Sequence, residues 1–237
     1  MLGDGVSKNG EAGQVTSTFW VSTYPFFEST LCVVPPVPLQ AINDAGFPID
    51  VAIYDPDGAE LNSARLVASP IQPTTIDLDQ FLGGCKIESG LKHAQVVVTS
   101  AAGSLHTCRI HSRESGSFMG PMMWFNNDRA AFLPVTFSVE RSYLAAFSNG
   151  TTAETAVRCK LICGKRAPET ILTLPPRGSR IVSLSSTFPE FASVEGAATT
   201  QAYLRLTTRS EGGVGVQLIE RTEISGSDGL AYGGLGL

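Results

Sequence analysis

The sequence predicts an all-β protein made of two tandem, related antiparallel β-sandwich domains that are barrel-like in their closure. The first observation is an alternation of apolar and polar residues along the chain, a period of two that is typical of half-buried strands. The second is that turn residues recur about every 8–12 residues, the spacing of sandwiches and barrels. The third is a similarity between the two halves, which indicates two copies of one folding unit.

Both halves follow one order of parts. Each begins at a tryptophan, Trp20 or Trp124, continues through alternating strands, and ends at an arginine, Arg113 or Arg221, that a Ser-Gly-Ser turn follows. A residue type kept in both copies serves either packing or a doubled site, so these four residues are the candidate ligand-binding residues. Three further segments align between the copies: residues 51–55 with 159–163, 76–79 with 182–185, and 103–110 with 212–219.

The repeat also predicts the domain organisation. The chain has 237 residues, enough for two domains of about 100 residues each. From the positions of the repeated parts and of the Gly-rich ends we predict a flexible tail at 1–14, a first sandwich at 15–117, a linker or seam at 118–135, a second sandwich at 136–227 and a Gly-rich tail at 228–237.

In the first half, the alternation of Ile49, Val51 and Ile53 predicts a strand. It ends in a tight turn at Asp55–Gly58, where proline sets the first central backbone angle and glycine relieves the last position. Residues 96–98 and 105–110 predict two strands joined as a hairpin near Gly103. A short helical turn is expected between them and the first strand, at residues 77–81.

The second half predicts matching elements. Residues 157–161 alternate as a strand, residues 203–206 and 214–219 form the matching hairpin, and Pro175–Gly178 forms a second tight turn. The equivalent helical turn is expected at residues 185–188. The segment 140–147 is helical by propensity, but its partner in the repeat, Leu31–Val34, is strand-like, so we predict a strand.

Charge and cysteine content restrict the classes of function. The net charge is -5 and the pI about 5.2, which argues against a nucleic-acid partner because such surfaces carry a basic stripe. Charged residues make up only 16% of the chain, which favours either docking between the domains or oligomerisation, and we expect a homo-oligomer. No apolar run approaches the roughly 18 residues that a membrane span needs, so no membrane insertion is expected. The five cysteines are odd in number and mostly at apolar positions, which predicts free thiols in the cytoplasm.

No catalytic constellation stands out, and we predict no enzyme, no metal and no cofactor. His106 and Cys108 share one strand face, as two zinc ligands would, but their aligned counterparts, Gly215 and Gln217, cannot ligate a metal. Asp77 and Asp79 have a spacing that could suit glycoside hydrolysis, but they precede a helical turn and are better explained as helix caps.

The candidate site residues have two interpretations each. Trp20 and Trp124 either anchor a core or stack on a ligand in a cleft. Arg113 and Arg221 form either surface ion pairs, which contribute little, or planar contacts to a carboxylate or phosphate. The methionines 119, 122 and 123 beside Trp124 form either a contact surface or a buried seam between the two units.

The first half resembles the bacterial sensory rhodopsin transducer family, and the second half resembles it more faintly. The resemblance is carried by Phe19-Trp20, Tyr24-Pro25, Leu31–Val34, Ile49–Tyr54 and Ser112–Glu114. It implies a β-sandwich that oligomerises and binds a ligand or partner, with the tryptophan and arginine of each copy at the site. Departures are Leu144-Ala145 and Leu161-Ile162 in the second copy, and the tandem arrangement itself.

The predicted function is therefore a non-enzymatic soluble binding module that recognises a small molecule, sugar-like or anionic, or a protein partner, with signalling as one candidate role. The alternative is a structural, self-assembling protein, which the low charge and the apolar C-terminal segment favour. A hydrolase of unknown substrate ranks third.

Overall fold

The structure is a computed structural model that describes residues 13–22, 27–36, 46–83, 93–112, 116–119, 122–138, 141–192, 199–223 and 230–234. Its first half contains eight strands and one short helix. In chain order these are β1 (Gln14–Ser22), β2 (Phe27–Val34), β3 (Phe47–Tyr54), β4 (Glu60–Ala68), β5 (Thr74–Asp77), α1 (Leu78–Gly83), β6 (His93–Ala101), β7 (Leu105–Ser112) and β8 (Gly116–Met119).

The second half contains nine strands and two short helices. In chain order these are β9 (Met123–Phe125), β10 (Ala131–Phe137), β11 (Arg141–Asn149), β12 (Thr155–Ile162), β13 (Glu169–Leu174), β14 (Ser179–Ser183), α2 (Leu184–Thr187), α3 (Pro189–Ala192), β15 (Thr200–Thr208), β16 (Val214–Glu223) and β17 (Leu230–Gly234).

The strands form four antiparallel sheets, which confirms the predicted all-β antiparallel fold. Sheet A has the order β1-β6-β3-β4 and sheet B the order β5-β2-β7-β8. Sheet C has the order β14-β11-β16-β17, with β9 also paired to β16, and sheet D has the order β10-β15-β12-β13. Sheets A and D therefore have the same strand order, as do sheets B and C apart from β9. The internal sequence repeat itself stays a prediction, because strand order is a property of topology.

Each pair of sheets encloses its own apolar core. Leu31 and Val33 of sheet B pack with Val51 and Val96 of sheet A in the first sandwich. The second core is formed in the same way from sheets C and D, with Tyr143 and Phe147 facing residues of β10, β12 and β15. The strand β10 shows the underlying pattern, because buried and exposed residues alternate along it. Its proline lies on the exposed side of an edge strand, where a missing N–H breaks no ladder.

Several predicted elements are confirmed. The segment 140–147 is a strand, β11, and the two helical turns are α1 and α2. The turn at Asp55–Gly58 has Gly58 at a φ of 88° and a hydrogen bond of 3.0 Å from the Gly58 N–H to the Asp55 carbonyl. At Pro175–Gly178 the positive φ falls on Arg177, at 52°.

The two predicted hairpins are wrong. β6 lies in sheet A and β7 in sheet B, and likewise β15 lies in sheet D and β16 in sheet C. The glycine turns between them, with Gly103 at a φ of 84°, therefore cross from one sheet of a sandwich to the other. Alternation along two successive strands cannot tell a hairpin from such a crossing, because both need only a tight turn.

The structure differs from the prediction at two boundaries and in one equivalence between the halves. The second sandwich begins at β10, within the predicted 118–135 linker. β17 lies within the predicted 228–237 tail and pairs with β16 from Leu230 to Gly234. β9, which carries Trp124, pairs with sheet C and is not the counterpart of β1, which carries Trp20. In the described part of the chain, no helix is long and apolar enough to cross a membrane.

Candidate functional site

The two sandwiches meet where the outer face of sheet A packs on the outer face of sheet C, a contact called the seam below. Trp20 of sheet A is 4% exposed and packs in one cluster with Ala146 and Ile219 of sheet C. Ile181 of β14, which lies opposite Ala146, packs against the same cluster. The sheets therefore stack in the order B, A, C, D, and sheet B also reaches the seam at one edge, where Ile110 joins the cluster and β8 lies against β17.

A polar half of the seam lies beside this apolar cluster. The Gln95 side-chain amide donates to the Asn149 carbonyl at 3.1 Å, and Nδ1 of His93 lies 2.9 Å from the Ser179 hydroxyl. His93 also lies next to Trp20, with ring centroids 6.1 Å apart. Burial, and to a smaller extent the charge of Arg180, lowers the pKa of His93 to about 4, so the imidazole is neutral at pH 7.

Two tight turns, at residues 55–58 and 175–178, contact each other at one end of the seam. The Arg180 guanidinium donates to the Pro56 carbonyl and to the Asp57 carboxylate, both at 2.9 Å. Arg177 donates to the Tyr54 hydroxyl at 2.8 Å and lies over its ring, 5.2 Å from the centroid. A Cβ on Gly58 would overlap the Pro176 carbonyl oxygen, so the close approach of the turns requires glycine there.

Of the four predicted site residues, the structure describes the side chains of the two tryptophans. Trp20 and Trp124 both pack at the seam, Trp20 within the cluster and Trp124 against it. The Trp124 ring lies over Gly215, where a Cβ would come within 3.1 Å of the indole. Arg113 lies outside the described residues. The backbone of Arg221 lies in β16 opposite Ser142, and its side chain is not described. The ligand-binding role of these four residues stays a prediction.

Met122 is 4% exposed and belongs to the same cluster as Trp20. Of the two interpretations of the methionines beside Trp124, the buried seam therefore holds for Met122. The indole N–H of Trp20 has no hydrogen-bond partner among the described residues, so what Trp20 contributes is apolar packing.

His106 is a hydrogen-bonded core histidine. Its Nε2 lies 2.7 Å from the Ser100 hydroxyl and its Nδ1 lies 2.9 Å from the Ser17 hydroxyl. Burial lowers the pKa of His106 to about 4. Cys108 pairs with Leu31, and Leu218 pairs with Ala145 in the sheet of the same strand order. Strand pairing therefore matches Cys108 with Leu218, one residue beyond Gln217, its counterpart in the sequence alignment. The described part of the chain holds no cluster of His, Cys, Asp or Glu that could bind a metal.

The other candidate chemistry has structural explanations. Oδ1 of Asp77 accepts from the N–H groups of Asp79 and Gln80, at 2.9 and 3.3 Å, and so caps α1. Ser183 caps α2 in the equivalent place. Burial raises the pKa of Cys108 and Cys159 to about 12, so both thiols stay protonated and unreactive at neutral pH.

The outer face of sheet D carries a feature that the sequence interpretation missed. Phe132 and Pro134 of β10, Tyr203 and Arg205 of β15, and Ile162 of β12 share this side of the sheet. This set is called the D face. The aromatic side chains are 52% and 57% exposed, and the Arg205 guanidinium lies 5.9 Å from the centre of the Phe132 ring. The alternation in 131–137 was the available signal, but this segment was assigned to the linker.

A cavity of about 160 Å³ opens at the edge of the second sandwich. Its lining is mostly apolar and comes from β11, β12, β13, β14, β15 and α2, with Phe147, Leu172, Val182, Leu184 and Phe188 among the residues. It lies between sheets C and D, on the opposite side of sheet C from the seam.

The described features define an all-β, two-sandwich protein with a tightly packed seam and an exposed aromatic face. No protein-family model matches the chain, and no curated protein sequence matches it significantly. Among solved structures, it is similar to a beta-glucuronidase from glycoside hydrolase family 2, with 9% identity and a TM-score of 0.20 over 98% of this chain and 25% of that one. A calcium-binding mutant of Bacteroides uniformis beta-glucuronidase 2 gives 9% identity and 0.20, over 97% and 26%.

The Parabacteroides merdae beta-glucuronidase, solved with glycerol in its active site, gives 10% identity and a TM-score of 0.20, over 96% of this chain and 28% of that one. The chain thus spans about a quarter of the length of these enzymes. Similarity at this level carries no argument about what the chain does.

Proposed function

We propose that this protein is a non-enzymatic binding module that recognises a protein partner through the D face. The observation that carries the proposal is the exposure of Phe132 and Tyr203 on neighbouring strands, beside Arg205. Aromatic residues and arginine are enriched among the residues that dominate binding energy at protein interfaces. A hydrogen-bonded sheet holds the backbone of these residues in place, so binding does not have to order a loop.

The form of the surface favours a protein over a small molecule. Small-molecule sites are concave and enclose most of the ligand surface, whereas the D face is the outer side of a sheet. Trp20 and Trp124, for which stacking on a ligand was one of two interpretations, are packed at the seam. The resemblance to the sensory rhodopsin transducer family supports a role in signalling, and the free cysteines support a cytoplasmic location; both are part of this proposal.

The proposal is tested by comparing proteins captured from an extract of the native cells. The baits are the immobilised wild type, Phe132→Ser, Tyr203→Ser and the control Val67→Ser. Val67 is 71% exposed and lies on β4, outside the D face. We expect wild type and control to retain the same proteins, and the two D-face variants to lose them. Equal capture by all four baits would overturn the proposal.

A second candidate function, binding of a small apolar molecule, is favoured by the cavity of about 160 Å³. Its mostly apolar lining suits a short alkyl chain rather than a sugar. Thermal unfolding with and without hexanol tests it, because a ligand that binds only the folded state raises the midpoint. The rise is expected in the wild type and not in Val182→Phe, which fills the cavity; a rise of the same size in both rules the site out.

A further inference from the structure

The four sheets fall into two types by strand order, with two sheets of each type, and the seam joins one type to the other. Sheet A has the strand order of sheet D, and sheet C has that of sheet B. In the layered order B, A, C, D, the seam uses one sheet of each type. The outer faces of sheets B and D therefore remain at the two ends of the stack, and they are the counterparts of the two faces that already bind each other.

We infer that the D face docks on the outer face of sheet B of a second copy of this chain, in the way that sheet A docks on sheet C. This inference rests on the proposed function and names the partner. What supports it is continuity with an established interface: the chain already contains one contact between these two types of sheet.

The ladders define which residues would meet on the D side. The sequence alignment of the two halves matches Val51 with Cys159. Val98 lies opposite Val51, and Leu206 lies opposite Cys159, so on that alignment Val98 corresponds to Leu206. By the same register, the seam residues of sheet A correspond to D-face residues: Gln95 to Tyr203, Trp20 to Pro134 and Tyr54 to Ile162.

The ladders also define the sheet B side. Leu31 pairs with Ile76 as Ala145 pairs with Val182, and Leu78 and Leu184 begin the equivalent helices. The seam residues of sheet C thus correspond to residues of sheet B and the turn before β5: Ala146 to Cys32, Ile181 to Thr75 and Arg177 to Ile71. These residues, together with Leu105 and Thr107 of β7, are called the B face.

The correspondence of the two faces is partial. Ile219 of the seam corresponds to Arg109, because these residues lie opposite Leu144 and Thr30. The B face therefore does not repeat the apolar centre of the seam, and the match lies at the turn before β5.

Arg177 touches Tyr54 at the seam, and the equivalent pair between copies is Ile71 with Ile162, two apolar side chains. Ile71 is 71% exposed and Leu105 is 60% exposed, which matches the exposed Tyr203 across the proposed contact. Burying such side chains stabilises an association by roughly 25 cal/mol per Å² of apolar area before the entropic cost of binding.

The contact is heterologous, because a D face meets a B face. A pair would retain one unused B face on one copy and one unused D face on the other, so association continues head to tail and does not stop at a closed dimer. This arrangement is what the experiment below examines.

The test uses the purified full chain and sedimentation over a range of concentrations. We expect the average mass of the wild type to rise with concentration above 25.1 kDa. Tyr203→Glu and Ile71→Glu each place a charge in the contact and should weaken association at least about tenfold. Val67→Glu, matched to Ile71 at 71% exposure, should associate like the wild type.

Mixing the two single variants gives the sharpest result. Tyr203→Glu keeps an intact B face and Ile71→Glu keeps an intact D face, so the mixture should form pairs of about twice 25.1 kDa and nothing longer. An assembling wild type whose variants fail to pair on mixing would overturn the head-to-tail contact. A wild type that stays at 25.1 kDa throughout would overturn the second copy as partner. In that case, selective loss of captured proteins on Tyr203→Ser leaves the proposed function standing, and unchanged capture removes both.

Discussion

The outer faces of sheets A and D occupy equivalent positions in two sandwiches of the same strand order, yet one is buried and the other is exposed. Trp20 in sheet A is 4% exposed, whereas Tyr203 in sheet D is 57% exposed. On sheet A, Gln95 and His93 find hydrogen-bond partners on sheet C. The strand order therefore creates an outer face on each sheet. Whether a large side chain on that face stabilises the fold or remains available for binding depends on the layer that packs against it.

The largest effect on this comparison is expected from Trp20→Ala. Removing a buried aromatic ring leaves a cavity in the seam and should lower the free energy of unfolding by about 3–5 kcal/mol. Urea unfolding measures it. Phe132→Ala on the exposed D face is the control, and it should stay within about 0.5 kcal/mol of the wild type. Similar losses for the two variants would mean that the seam is not a packed core.

The second-largest effect is expected from acid, which should lower the free energy of unfolding by protonating His93 at the seam. The pKa of folded His93 is lowered from 6.5 to about 4, so the unfolded chain takes up the proton first as the pH falls. The stability that neutral His93 contributes is therefore complete above about pH 6.5 and is lost between about 6.5 and 4, on the order of 3 kcal/mol. His93→Gln should show a smaller fall over this range than the wild type in urea unfolding.

His106 has the same lowered pKa but lies inside the first sandwich. His106→Gln should reduce the acid loss by a similar amount, which makes it the comparison for the seam histidine. Parallel curves of stability against pH for wild type and His93→Gln would show that the seam does not hold this imidazole neutral.

Gly58→Ala tests the contact between the two turns. A methyl group there would overlap the Pro176 carbonyl, and the backbone has a φ of 88°. We expect a loss of about 2–3 kcal/mol, of which about 1–2 kcal/mol reflects the left-handed backbone. Gly164→Ala is the matched control: its φ is 57° and nothing lies within 4 Å of the added Cβ. Equal losses of stability in the two variants would show that the contact between the two turns contributes nothing to the free energy of unfolding.

The smallest effect is expected at the Arg180–Asp57 ion pair. Its side chains are 35% and 79% exposed, and such pairs contribute about 0–1 kcal/mol. Asp57→Asn should therefore cost less than about 1 kcal/mol, and the difference from wild type should shrink as salt is raised. A larger loss that salt does not change would show that this end of the seam is closed to solvent.

The strands and helix caps could be predicted because their signals are local. The alternation around Val51 and the capping residue Asp77 depend only on neighbours within a few positions, so both can be identified from the sequence. The crossing at Gly103 was mistaken for a hairpin because a tight turn is needed in both arrangements. β17 was missed because its glycines weaken the strand signal.

The sequence by itself determined the all-β antiparallel class, most of the strands and the two helical turns. Only the tertiary structure decided that Trp20 and Trp124 meet at one seam, that Trp124 lies on a strand without a counterpart in sheet B, and that Phe132 and Tyr203 remain exposed. The physical reason is that burial of an outer sheet face depends on which layer packs against it. That choice is made by contacts between residues far apart in the chain, and a local pattern does not contain it.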